Sequence, residues 1–139
     1  MNITTIQVTV HTADTDGAGT DGKVRIGICG REFVLDTGAN DFERGMTQTF
    51  VLGAGSNVFN PPGNDPRKPQ LDTGELQHFP AYVHLSPVDA KDNWALDNVT
   101  VTVNPGADQI TYGNGPVLDG DKRLWMALDG GQTLYLKRQ

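Results

Sequence analysis

The residues of this chain best suited to chemistry are carboxylates packed into glycine-rich turns. Asp14-Thr15-Asp16-Gly17-Ala18-Gly19-Thr20-Asp21-Gly22 is the densest of them. Gly17, Gly19 and Gly22 spell GxGxxG, but a dinucleotide fingerprint must open a helix. The next residues, Lys23-Val-Arg-Ile-Gly-Ile28, form an alternating strand pattern instead. Asp14, Asp16 and Gly19 partly mimic an EF-hand loop, yet Arg25 stands where the bidentate Glu belongs. Gly17 to Asp21 matches one calcium β-roll repeat, which needs stacked copies. What survives is the donor chemistry: carboxylates and free carbonyls on a glycine turn suit a hard cation such as calcium. The competing reading is an ordinary solvated acidic loop.

A second acidic turn, Leu35 to Gly45, offers Asn40 and Asp41, and a third, Val88 to Trp94, offers Asp89, Asp92 and Asn93. If the three turns meet, they supply enough oxygens for one or two calcium ions. Catalytic patterns are absent by letter: there is no GxSxG elbow and no HExxH. Glu43-Arg44 reads as a charged pair fixing a turn. His78 and His84 would share a strand face if the strand reached back that far, and they read as strand histidines rather than a zinc pair. Cys29 is the only cysteine, so there is neither an intrachain disulfide nor a CxxC site, and it reads as a small buried residue near a strand end.

The elements that must position these turns are strands. Ile6, Val8 and Val10 alternate with polar neighbours, as do Val24, Ile26 and Ile28, and Val99, Val101 and Val103. Further strands are expected over 31–36, 46–52, 79–86, 108–113, 122–129 and 132–137, with Asp129-Gly130-Gly131 as a hairpin turn joining the last two. No segment keeps a helical period with caps. The pattern predicts an all-β, antiparallel β-sandwich of about eight strands in a single domain over 1–139. Residues 54–70 hold four of the eight prolines and are expected to form a long loop with Phe59 near its tip.

The formal net charge of −6 argues against nucleic acid as a partner and against simple adhesion to anionic lipid. A bound cation would locally reverse the second argument. Neither a signal peptide nor a membrane-spanning stretch is visible, so the compartment stays open.

Gly17-Ala-Gly-Thr-Asp21 after the first strand, Phe42-Glu-Arg-Gly45 leading into Thr49-Phe50, and Trp94-Ala-Leu-Asp-Asn-Val99 opening a late strand occur in the order found in PLAT domains. The chain resembles that family, named from polycystin, lipoxygenase and clostridial alpha-toxin, over about residues 5–103, and its tail resembles the alpha-toxin type. The resemblance implies an eight-stranded sandwich that binds calcium and associates with lipid or protein without catalysing a reaction. It implies calcium ligands at Gly19, Thr20, Asp21, Asn40, Asp41, Asp92 and Asn93, to which Asp16 and Asp89 add nearby carboxylates. Many members have a carboxylate directly before the residue matching Ala18, where this chain has Gly17. Leu85-Ser-Pro87 replaces an His-Asp-Asn-like start to the third loop, and the 54–70 loop exceeds the usual connection. The expected function is therefore a calcium-binding module mediating membrane or lipid association, with a protein-interaction or structural module as the alternative and a carbohydrate-binding one behind it.

Overall fold

The computed structural model describes residues 1–115 and 124–139. Its strands are β1 (Thr5–Thr12), β2 (Lys23–Ile28), β3 (Arg31–Val34), β4 (Thr47–Gly53), β5 (Tyr82–Ser86), β6 (Trp94–Val103), β7 (Ile110–Gly113), β8 (Leu124–Met126), β9 (Thr133–Tyr135) and β10 (Lys137–Arg138). Two short 3-10 turns, Pro61–Asn64 and Thr73–Gln77, are the helical elements among the described residues. One sheet runs β10-β7-β6-β1-β4, with β8 also paired to β6, and the other runs β3-β2-β5-β9. Every pairing is antiparallel. The all-β sandwich read from the alternation is the fold observed.

Alternation makes the core. β1 alternates half-exposed and buried residues along its whole length, so Ile6, Val8 and Val10 face Val24, Ile26, Phe33, Val83 and Leu85 across the sandwich in one buried cluster. In β6 the phase switches midway. Trp94 and Leu96 are buried on even positions, and Val99, Val101 and Val103 on odd ones. The cause is a β-bulge: His11 pairs with Asn98 but Thr12 pairs with Leu96, leaving Asp97 as the extra residue. The bulge turns the Trp94 ring inward, where its indole N–H donates to Thr12 Oγ1 at 3.0 Å.

Two expectations fail. The turn at Asp129-Gly130-Gly131 forms, with Ala127 N–H donating to Gly131 C=O at 3.1 Å. It does not join a hairpin, because β8 pairs with β6 in one sheet and β9 with β5 in the other. β8 takes the first residues of β6, which β7 leaves unpaired, and β9 adds to β5 at the edge of the other sheet. The expected start of that strand, 122–123, lies outside the described residues. His78 and His84 do not share a strand face, because β5 begins only at Tyr82 and His78 caps the second 3-10 turn.

The 54–70 segment is a strap across one open edge of the sandwich. Its outward arm follows β4, with Asn57 accepting from Val51 N–H at 2.8 Å and donating to Thr49 C=O at 2.8 Å. Its return arm follows β3: buried Asn64 accepts from Val34 N–H at 2.8 Å. Arg31 donates to the carbonyls of Asp65, Lys68 and Gly63 at 2.6, 3.1 and 3.1 Å. Prolines stop the strap from continuing either ladder, and side chains supply the edge bonds instead.

Candidate functional site

Three turns gather at one end of the sandwich. β1 and β2 are joined by residues 13–22, β3 and β4 by 35–46, and β5 and β6 by 87–93. The ladder extends into them. Thr12 N–H donates to Met46 C=O at 3.0 Å, Gly45 N–H to Ala13 C=O at 3.1 Å, and Ala13 N–H to Ala95 C=O at 2.9 Å. Ala13, Ala18 and Ala95 are fully buried together, and only residues this small let the first turn lie so close to β6. Phe42 adopts a left-handed φ of 59°, uncommon for an aromatic residue. Its ring stacks on Phe50 at 5.2 Å and meets Trp94 edge-on at 5.3 Å. That anchoring aims its carbonyl at Thr20 N–H, 3.1 Å away. A Cβ on Gly19 would lie only 3.1 Å from the same carbonyl, so this residue must stay small.

The carboxylates divide into committed and uncommitted groups. Asp92 accepts from Thr20 Oγ1 at 2.7 Å and from Val88 N–H at 3.0 Å, tying the first turn to the third. Thr20, buried, in turn accepts from Gly22 N–H at 2.9 Å. Asp41 accepts from Thr37 N–H, Thr37 Oγ1 and Gln48 Nε2 at 2.8, 2.6 and 2.7 Å, which shapes the second turn. Asp89 accepts from Lys91 N–H within its own turn at 2.8 Å. Asp14 and Asp16 both hold Arg44, at 2.9 Å to Nε and 2.6 Å to a terminal nitrogen. Hydrogen bonding to Asp14 drives the guanidinium further above its ordinary value. The side chains of Asp21 and Asn40 are exposed and uncommitted among the described residues.

Two clefts flank the first turn. One, of about 310 Å³, is lined by Thr20, Asp21, Asp36, Asn40 and Asp41 among others. The second, of about 320 Å³, is lined by Gly19, Thr20, Asp21, Glu43, Arg44 and Asp92 among others. Thus Gly19, Thr20, Asp21, Asn40, Asp41 and Asp92 are brought together around the two clefts, while Asp16, Asp89 and Asn93 line neither. The first cleft offers donors of the kind a hard cation takes, carboxylates and an amide oxygen, although Lys23 lines it too. Asp21 and Asn40 are the donors lining it whose side chains are uncommitted, whereas both Asp41 oxygens already accept hydrogen bonds. Among the described residues no three acidic, histidine or cysteine side chains converge as a metal-binding group.

Several features were not legible in the sequence. Asp36 lines the first cleft and accepts from Gly38 N–H at 2.8 Å, and a carboxylate at a strand end carries no distinguishing signal. Arg44 pairs with Asp14 and Asp16 rather than closing a turn with Glu43. Phe59, which the sequence does place in the long loop, donates its N–H to Asp36 C=O at 2.6 Å and is 68% exposed. Val88 on the third turn is 66% exposed, and Trp125, opposite Ala95 at the start of β6, is 47% exposed. Three exposed apolar side chains therefore lie on segments bonded to the acidic turns or to β6 beside them.

Known proteins share this architecture. The family profile of the PLAT/LH2 domain matches residues 6–117. The alpha-toxin of Clostridium absonum superposes with a TM-score of 0.64 at 23% identity, covering 98% of this chain and 32% of the toxin chain. An alpha-toxin of Clostridium perfringens from an avian strain gives 0.63 at 21% identity, covering 99% and 32%. A coral 8R-lipoxygenase, described as activated by calcium via a C2-like domain, gives 0.57 at 18% identity, covering 96% and 17%. The chain thus spans about one third or less of the length of these enzymes. No curated protein matches the sequence. With the greater part of its length matched by the family profile, the chain belongs to the PLAT/LH2 domain family.

Proposed function

We propose that this domain is a non-catalytic module that attaches to a membrane surface through its acidic end, with calcium held between the first and second turns by Asp21 and Asn40. The observation that carries this reading is the exposure of Phe59, Val88 and Trp125, each tied by a backbone contact to a residue that lines one of the two clefts or bonds to one that does. Apolar side chains at a loop end gain by entering the headgroup region, and aromatic ones suit that boundary. A net charge of −6 opposes such contact, and a bound divalent cation supplies the positive charge that neutralises the turns and attracts phosphate oxygens. The calcium activation described for the coral enzyme supports the same reading.

Co-sedimentation with phosphatidylserine vesicles, in calcium and in chelator, tests it. Pelleting in calcium alone is expected; a folded protein left in the supernatant under both conditions contradicts it. A protein partner is the second reading, favoured by Tyr135 and Phe79, 65% and 45% exposed, at the opposite end. Aromatic residues are enriched at protein interfaces. Failure to pellet, with loss of partner capture on Tyr135→Ala, would move the assignment there.

A further inference from the structure

We propose that the outer face of the β3-β2-β5-β9 sheet binds an acidic sugar, a uronic acid residue of a glycan, with its ring resting on Tyr82 and its carboxylate on Arg25. The inference does not depend on the membrane reading. Strand register builds the site. Tyr135, Tyr82, Gly27 and Glu32 are direct cross-strand neighbours from β9 to β3, and Thr133, His84, Arg25 and Val34 form the next row. The residues between the rows, Leu134, Val83, Ile26 and Phe33, are buried in the core, so both rows point outward. Gly27 lets the Tyr82 ring lie across β2, because a Cβ there would clash with Cε1 and Cζ of that ring. The ring is pinned at its far end, where the hydroxyl donates to Glu32 at 2.7 Å. Tyr135, 65% exposed, meets it edge-on at 6.1 Å and stands as a wall beside this floor.

The second row supplies positioned polar groups. Arg25 Nη1 donates to Ser86 Oγ at 3.0 Å, which leaves the Nε–Nη2 edge without a partner among the described residues. His84 Nδ1 shares a hydrogen bond with Thr133 Oγ1 at 2.9 Å, which leaves Nε2 open in the same way. Each side chain is held by one bond and presents another, so little ordering is left for a ligand to impose. The charge of the face selects an anion. Lys23 stands two residues before Arg25 on the same strand, and Glu32, the one carboxylate in the two rows, is engaged by Tyr82. The planar open edge of Arg25 matches a carboxylate. Successive rows lie about 7 Å apart along a strand, so a sugar ring stacked on Tyr82 brings its carboxylate to Arg25. Val34 is the one aliphatic side chain in the two rows, whereas the centre of a protein interface is apolar and depleted of charge.

The test is a titration of the full chain with trigalacturonate and with its neutral counterpart, galactotriose, following the ring signals of Tyr82 and Tyr135 by NMR. Chelator is present throughout, which separates the outcome from the calcium reading. Trigalacturonate should shift both rings, and galactotriose should bind about tenfold more weakly or less. Arg25→Gln should lower the affinity for trigalacturonate by about tenfold or more, and Tyr135→Ala, at an exposed position, should weaken it while leaving the thermal transition in place. Binding should also weaken in ~1 M salt. Rings that do not shift at the solubility limit of trigalacturonate, equal binding of galactotriose, or unchanged binding by a folded Arg25→Gln each overturn the proposal. A dimer in sedimentation that Tyr135→Ala abolishes would assign the face to a second copy of the chain and overturn it as well.

Discussion

Thr20→Val is the perturbation that most sharply tests how the acidic end is held together. Thr20 is buried and joins two turns: its hydroxyl donates to Asp92 Oδ1 at 2.7 Å and accepts from Gly22 N–H at 2.9 Å. Valine keeps the shape and removes both bonds. A hydrogen bond to a charged partner contributes about 1.5–3 kcal/mol net, and the Gly22 amide left without its partner adds to the loss. The expected cost is about 2–3 kcal/mol. For a chain of this size that corresponds to roughly 6–12 °C in Tm, measured by circular dichroism. Thr20→Ser is the control; it keeps the hydroxyl and should lose only about 1 kcal/mol for the missing methyl group. Asp92→Ala, alone and combined with Thr20→Val, completes a double-mutant cycle, with an expected coupling of about 1.5–2 kcal/mol. A Thr20→Val transition no lower than that of Thr20→Ser, or a coupling near zero, would show that the Thr20–Asp92 bond does not hold the first turn to the third.

The strap depends on buried Asn64, which caps Val34 N–H; Asn64→Ala should cost about 1–3 kcal/mol and raise amide exchange over 57–68, read by hydrogen–deuterium exchange. Tyr82 is pushed up to about 12 by burial, with a hydrogen bond donated to Glu32 adding to the shift. A raised folded-state value means stability is intact below the ordinary tyrosine range near pH 10 and is lost as pH rises towards 12. Tyr82→Phe should flatten that alkaline limb in denaturation series, and the most alkaline phenolate transition should vanish from the absorbance titration. Hydrogen bonding from Arg67 holds Asp65, almost wholly buried, below the usual carboxylate value. Its contribution is present above about pH 4 and is lost as pH falls through the lowered value, so Asp65→Asn should flatten the acid limb of the same series.

The fold was legible because the strands repeat one simple rule. Ile6-Val8-Val10 and Val99-Val101-Val103 alternate, and both sets line the core. The phase change in β6 was not legible, since nothing in Ala95-Leu-Asp-Asn98 marks Asp97 as a bulge; only pairing with β1 forces it. The tail misled for a related reason. Local turn chemistry at Asp129-Gly130-Gly131 is that of a hairpin, but partners far away in sequence, β6 and β5, take the two arms into different sheets. At the site, the three turns that the sequence singled out do gather at one end of the sandwich. The sequence could not distinguish Asp41 and Asp92, which brace the backbone, from Asp21, which remains uncommitted, because all are acidic residues beside glycines or small polar residues. Nor could it show that the proline-rich strap carries Phe59 up to Asp36, a contact set by edge bonding to β4 and β3.

The central claim, that the acidic end meets a membrane when calcium is present, is tested most directly by fluorescence quenching with brominated lipids. The chain has two tryptophans, of which Trp94 is fully buried and Trp125 is exposed beside the acidic turns. Phosphatidylserine vesicles containing brominated lipid should quench Trp125 in calcium. Chelator, Trp125→Phe or Asp21→Asn should each remove the quenching. Unquenched Trp125 emission in calcium at saturating vesicle concentration, or quenching that persists in chelator, would contradict it.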